Sequence, residues 1–223
     1  MRLVLLACAL FVLSATAAVA RPTMRPFEPF LAGTPRTGET VVLRDRPGGK
    51  PLATLGATTE FGSPETVGVA AARGNWVAVI STHLPNGKVG WVPRADLDLH
   101  TVEWSVEVSL SRRELVVLRD GRVVRRATVG IGAASSPTPA GRYVITDHID
   151  PGAQSGAYGC CILALSGHQP HPPAGWDPNR DWRLAIHGGA AGAVSAGCIH
   201  ADPETLRLLM RETPLGTPVT VTR

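Results

Sequence analysis

Glycine and proline interrupt this chain throughout, 24 and 19 of them in 223 residues. Glycine leaves the backbone too free for a helix interior, and proline removes a donor and fixes φ. Long helices are therefore disfavoured, and short strands joined by tight turns remain. Aromatic residues are only 5% of the chain and charged residues 18%, while a hydrophobic fraction of 44% is ordinary for a globular core. The length suits one large domain or two small ones.

Residues 1–20 read as a signal peptide. Arg2 supplies the positive start, residues 3–13 are apolar, and Ala18-Val19-Ala20 fits a small-x-small cleavage site before Arg21-Pro22. The expectation is export to the periplasm or cell wall, with no stable membrane span once the leader is cut. Cys8 lies inside the leader, so Cys160, Cys161 and Cys198 remain. An odd number leaves at least one thiol unpaired within the chain. Cys160 and Cys161 are neighbours, and a bridge between neighbours is strained. They read as structural cysteines on a strand, one facing in and one out, with a redox brake on Cys198 or a metal site as the alternatives. An idle thiol in an oxidising compartment is a liability, which directs attention to Cys198. The net charge of +4 is mild. It suits an anionic polymer such as a cell wall and is no nucleic-acid signature. Arg112, Arg113, Arg119, Arg122, Arg125 and Arg126 flank a turn and read as solvated strand ends.

Residues 21–37 carry Pro22, Pro26, Pro29 and Pro35 and read as an extended linker. Residues 38–100 form a small all-β unit. Its strand runs are 40–44, 52–55, 66–70, 76–81 and 89–92, separated by Pro47-Gly48-Gly49, Gly74-Asn75 and Pro85-Asn86-Gly87. Runs this short at this spacing make a small barrel. The order "VVLRDRPGG…GNWVAVI…GKVGWVPRADL" resembles a bacterial SH3-like domain, which implies a wall-peptide binder or a unit that positions a catalytic neighbour. Trp76 and Trp91 read as core. Residues 101–223 form a second unit. Residues 104–110 alternate, and 114–119 and 122–129 make a hairpin about Asp120-Gly121. The run Pro137-Thr138-Pro139-Ala140-Gly141 breaks the pattern before strands at 142–146, 182–186 and 218–221. Asp202-Pro203-Glu204 starts a short helix with Leu206, Leu209 and Met210 on its apolar side. The fold class expected is mainly β: a small barrel, then a β-sandwich with a short helix after Cys198. The loop 168–181, "HQPHPPAGWDPNRD", reads either as plain surface or as a lid carrying His168, His171 and Trp176.

The stretch "IHGGAAGAVSAGCIH" places His187, Cys198 and His200 on a frame of small residues. A thiol needs to become a thiolate to attack, and a nearby imidazole lowers its pKa. His187 supplies one if the intervening loop folds back. Gly197 permits a sharp turn, after which the Gly197 and Cys198 amides can face an oxyanion. On an extended chain His200 points to the same side as Cys198. Nucleophile, base and oxyanion donors together suit acyl transfer through a thioester.

That stretch, with "LRDGRVVRRATVGIG…SPTPAGRYVIT" and "YGCCILALSG", resembles the L,D-transpeptidase (YkuD-like) catalytic domain, over roughly 101–221. The resemblance implies a β-sandwich in which Cys198 attacks the diaminopimelate carbonyl of a peptidoglycan tetrapeptide stem. D-Alanine leaves, and an amine of a second stem resolves the thioester into a 3-3 cross-link. His187 would accept and return the proton, and the Gly188 carbonyl would hold its imidazole. Ser195, Gly197, His200 and Tyr158 fall to the substrate and oxyanion side. Two departures stand out: Ala196 occupies a position where the family commonly has His, and His200 one where it commonly has Arg. The 187–198 loop is also short for the family. Neither nucleophile nor base is lost.

Three other readings stay open. Water in place of the amine would make the chain an L,D-carboxypeptidase. A non-catalytic wall-binding protein is allowed by the N-terminal unit. A zinc protein has the right ligand types, although His187-x10-Cys198-x-His200 matches no strong zinc spacing. No metal and no cofactor are expected. The expected partner is the peptidoglycan stem peptide, not nucleic acid.

Overall fold

Alternating apolar and polar runs broken by glycine turns produce, among the described residues, two sheets, two short α-helices and one 3-10 turn at Arg94–Asp96. The computed structural model describes residues 29–36, 40–152, 155–177, 180 and 182–223. The signal peptide read over 1–20, the linker segments 21–28 and 37, and the domain start at Gly38 lie outside the described residues. The first sheet holds seven strands: β1 (Phe30–Pro35), β2 (Val41–Arg44), β3 (Pro51–Leu55), β4 (Val67–Arg73), β5 (Trp76–Ile80), β6 (Gly90–Pro93) and β7 (Leu97–Val102). Their order is β3-β2-β6-β5-β4-β1-β7. The second holds β8 (Trp104–Ser109), β9 (Glu114–Arg119), β10 (Arg122–Thr128), β11 (Gly130–Gly132), β12 (Gly141–Ile149), β13 (Ile162–His168), β14 (Arg183–His187), β15 (Gly192–Ser195), β16 (Ile199–His200) and β17 (Pro218–Thr222). Their order is β10-β9-β8-β17-β12-β13-β14-β16-β11-β15. The helices are α1 (Ser155–Tyr158) and α2 (Pro203–Glu212). Among the described residues no helix is long and apolar enough to cross a membrane.

The linker reading of 21–37 gives way over Phe30–Pro35. This segment is a strand that pairs with β4 and, along all six residues, with β7. Its only proline is the last residue, where a missing N–H costs a ladder least. Ala32 is buried in the core of the second unit, so the segment joins both halves. Strand β7 also runs past residue 100, to Val102, whose side chain belongs to that same core.

Local signals in the second unit take the forms their chemistry dictates. Asp120 and Gly121 both adopt positive φ, 50° and 70°, as a two-residue hairpin turn between β9 and β10 demands. Asp202 caps α2, its Oδ1 accepting from the Glu204 and Thr205 amides at 3.0 and 2.9 Å, with Pro203 in the first turn. Arg125 is not merely solvated: it pairs with Asp202 and Glu204 and ties β10 to the start of α2.

Polar bonds across the units align them. Asn86 exchanges two hydrogen bonds with the backbone of His168, donating to its carbonyl at 2.7 Å and accepting from its amide at 2.9 Å. Thr59 donates to the buried Asp147 carboxylate, and Glu60 pairs with Arg183. Removing the Asn86 amide takes a partner from each of these two half-buried backbone groups. Asn86→Ala should therefore cost about 1–3 kcal/mol in denaturant unfolding, and a change within error would show that the contact holds nothing.

Candidate active site

The ladder between β14 and β16 builds the site. The two strands run parallel with Ile186 opposite Ile199 and His187 opposite His200. Side chains alternate along each strand. Ile186 and Ile199 therefore enter the core, where both are fully buried, and His187 and His200 emerge on the other face. Cys198 precedes β16 by one residue, beside Ala185. The His187 and His200 rings lie 4.8 Å apart, tilted by 50°.

His187 is buried and held from two sides. Its Nδ1 lies 2.6 Å from the Gly188 carbonyl, which can only accept, so the neutral ring carries its proton there and presents an unprotonated Nε2. The Tyr158 ring meets it edge-on, with centroids 5.0 Å apart at 81°. The Tyr158 carbonyl accepts from the Gly188 amide at 2.7 Å, coupling α1 to the same corner. Desolvation pushes the His187 pKa below the ordinary imidazole range, against the Gly188 hydrogen bond, and the nearby His200 adds to the lowering.

Cys198 is half-buried as a residue, but burial of its sulfur dominates and pushes the thiol pKa up, opposed by a hydrogen bond with the Ala185 backbone. Among the described residues no hydrogen bond joins the sulfur to His187. Burial therefore favours the uncharged form of both groups.

The loop before Cys198 is fixed carbonyl by carbonyl. Gln169 Nε2 points at the carbonyls of Ala196, Pro137 and Ser136, at 2.8, 3.2 and 3.3 Å. Thr138 donates to the Gly197 carbonyl at 2.8 Å and accepts from the Gly132 amide at the same distance. Ser195 donates to the Cys198 carbonyl at 2.6 Å and accepts from the Gly197 amide at 3.1 Å. Gly197 itself sits at φ +118°, and a Cβ there would overlap the Gln169 amide. The Gly197 amide is thus already engaged and does not face an oxyanion, contrary to the sequence expectation. Gln169 and Thr138 were not singled out from sequence. Thr138 stands between two prolines in a segment read only as a break, and Gln169 in a loop read as surface or lid.

Cys160 and Cys161 do not lie on opposite faces of a strand. They occupy the turn between α1 and β13, after Gly159 at φ +75°, and a disulfide joins them. An extended chain would have driven the two sulfurs apart; the turn brings them together. Cys198 is free. Among the described residues no group of three or more His, Cys, Asp or Glu converges on a metal-sized point. His200 Nδ1 is bonded to the Ala190 carbonyl at 2.8 Å.

A family model describing the L,D-transpeptidase catalytic domain (YkuD) matches residues 103–221. The chain belongs to that family. The YkuD protein of Bacillus subtilis (strain 168) is 28% identical over 132 residues, spanning 56% of this chain and 70% of its own. An L,D-transpeptidase from Mycobacterium smegmatis aligns over 88% of this chain and 100% of its own, at 12% identity and a TM-score of 0.45. An Enterococcus faecium L,D-transpeptidase aligns at 22% identity with a TM-score of 0.38 over 54% of this chain, which spans about half, 50%, of that one.

In this L,D-transpeptidase-family domain, His187, Ser195, Cys198, His200 and Tyr158 line one cavity of about 690 Å3 together with Gln169, Trp176 and Trp182. The 168–181 loop therefore borders the cavity through Trp176 and fixes the loop before Cys198 through Gln169. Alkylation of Cys198 by a neutral haloacetamide tracks its thiolate fraction. With the thiol pushed up, the free protein should react slowly at neutral pH and faster as pH rises past the ordinary thiol range, read by mass spectrometry of the labelled peptide. A plateau already reached below neutrality would mean a standing thiolate–imidazolium pair.

Proposed function

We propose that this chain is a cysteine-dependent L,D-transpeptidase that forms 3-3 cross-links between peptidoglycan stems. One observation carries the reading: His187, with Nδ1 held on the Gly188 carbonyl, presents Nε2 on the strand face that also carries Cys198, and both line one cavity of substrate size. Cavities of roughly 300–1,000 Å3 take small substrates.

Cys198 Sγ attacks the carbonyl of the third stem residue while its proton passes to His187 Nε2. The oxyanion faces the Cys198 amide, since the Gly197 amide is held by Ser195. Collapse breaks the bond to the terminal residue, whose amine takes the proton from Nε2 and leaves as D-alanine. The thioester remains. An amine of a second stem attacks it and gives its proton to Nε2, and the returning thiol takes that proton back. Burial of a neutral pair favours this concerted traffic, because neither partner need carry charge before substrate arrives. Tyr158 fixes the ring plane, and His200 flanks the acyl position. No step needs a metal or cofactor.

Export to the periplasm or wall, by the leader read over 1–20, belongs to the same proposal. So does a wall-facing role for the SH3-like N-terminal unit. The hydrolytic alternative differs only in the acceptor, water replacing the amine.

Mass spectrometry of residues 21–223 incubated with a disaccharide-tetrapeptide tests the reading directly. A Cys198 adduct with cross-linked dimers is expected; an adduct with tripeptide alone would assign a carboxypeptidase, and neither product would sink both. Cys198→Ala should abolish the adduct. His187→Ala should slow its formation by about 10²–10⁴-fold. Because the His187 pKa is pushed down, the neutral base persists as pH falls. The acid limb of kcat/KM should therefore lie below the ordinary imidazole range, and a limb at or above it would contradict the assignment.

A further inference from the structure

The cavity that holds Cys198 and His187 has a wall that the reaction above does not use: Phe61, Trp176, Arg180 and Trp182. Phe61 comes from the other unit, on the loop between β3 and β4. It is 49% exposed, and Trp176 is 42% exposed. Large aromatic faces left in water cost free energy unless something covers them.

The Phe61 loop is nonetheless fixed. Within it the Thr59 amide donates to Ser63, the Gly62 amide to Thr59, and the Glu65 amide to Ala57, all at 2.9–3.1 Å. Thr59 is bonded to Asp147 and Glu60 to Arg183, two anchors in the residues immediately before Phe61. The Arg183 guanidinium lies 5.8 Å from the Phe61 ring. Across the wall, the Trp176 and Trp182 rings are 4.2 Å apart at 44°, and the Trp182 indole donates to the Asp177 carbonyl at 2.8 Å. Arg180 lies over Trp182 at 4.5 Å. Arg183 is occupied by Glu60 and by the Leu165 carbonyl. The wall thus offers preformed ring faces, with the Arg180 guanidinium lying over one of them.

We infer that this wall is a carbohydrate subsite, and that the N-terminal unit supplies part of it through Phe61. Ring faces suit the C–H faces of a pyranose, whose hydroxyl and amide groups stay at the edges in contact with water. The occupant follows from the reading under Proposed function, on which this inference rests. A stem whose third residue sits at Cys198 brings its sugar within three residues, on the order of 10 Å of extended chain. These rings line the same cavity as Cys198.

The test compares kcat/KM for a disaccharide-tetrapeptide with that for the free tetrapeptide, using residues 21–223. The preference for the sugar-bearing substrate should fall about tenfold in Phe61→Ala and in Trp176→Ala, through KM and not kcat, and return in Phe61→Tyr; tenfold is the size of one lost aromatic contact. In parallel, the peptide-free disaccharide of N-acetylglucosamine and N-acetylmuramic acid is titrated while the indole N–H resonances are followed. They should shift in the parent chain and not in Phe61→Ala. An unchanged preference, or an equal loss on both substrates, would overturn the inference, the second outcome meaning that the wall contacts peptide. If neither substrate turns over, the titration decides alone. Shifts without turnover would leave the subsite standing and remove the transpeptidase reading; turnover without shifts or preference would do the reverse.

Discussion

The site depends on a two-residue strand paired in parallel with β14. Ile199 opposite Ile186 is what the core requires, since both are fully buried. Given that register, the period of two puts His187, Cys198 and His200 on the opposite face without further choice. A one-residue slip of β16 would drive the His200 imidazole and the Cys198 thiol into the apolar layer and leave Ile199 in water. Hydrophobic burial therefore aligns the polar groups, and it does so strongly because one face is wholly apolar. The same burial tunes them, pushing the imidazole down and the thiol up, so that it favours the uncharged form of each.

What the ladder does not fix, the loop before Cys198 must. Residues 195–198 form no long ladder of their own, and their carbonyls are instead taken one by one by Gln169, Thr138 and Ser195. Gln169 and Thr138 come from two other segments of the chain, and Ser195 from the loop itself. The small-residue frame follows from that crowding: at Gly197 both the positive φ and the space filled by Gln169 exclude a side chain. The frame is needed less for flexibility than for close approach.

Much of this was legible in the sequence. The turn at Asp120-Gly121, the cap at Asp202 and the strands around them are local signals, set by residues within a few positions of one another. The nucleophile and base candidates were legible because small residues bracket them. Three features were not. Phe30–Pro35 reads as linker because its prolines carry the local signal, while its pairing with β7, nearly seventy residues on, is non-local. The joined cysteines depend on a turn at Gly159 that the neighbouring strand pattern conceals. Gln169 acts through contacts to residues 136, 137 and 196, and nothing in its own surroundings, a run of prolines and histidines, announces them.

The junction between the units explains why the N-terminal half cannot be an independent appendage. Asp147 is fully buried, and a buried carboxylate is costly unless paired. One of its oxygens accepts from Thr59 of the other unit; the second has no hydrogen bond and faces Arg183 at 4.0 Å. Arg183 is itself nearly buried and binds Glu60, again from the other unit, as well as Thr146 and the Leu165 carbonyl. Separating the units would leave both the carboxylate and the guanidinium short of partners at the end of β14, four residues from His187. The charges that hold the loop carrying Phe61 are therefore seated on the strand that carries the candidate base, and the two halves are tied at the point where substrate would lie.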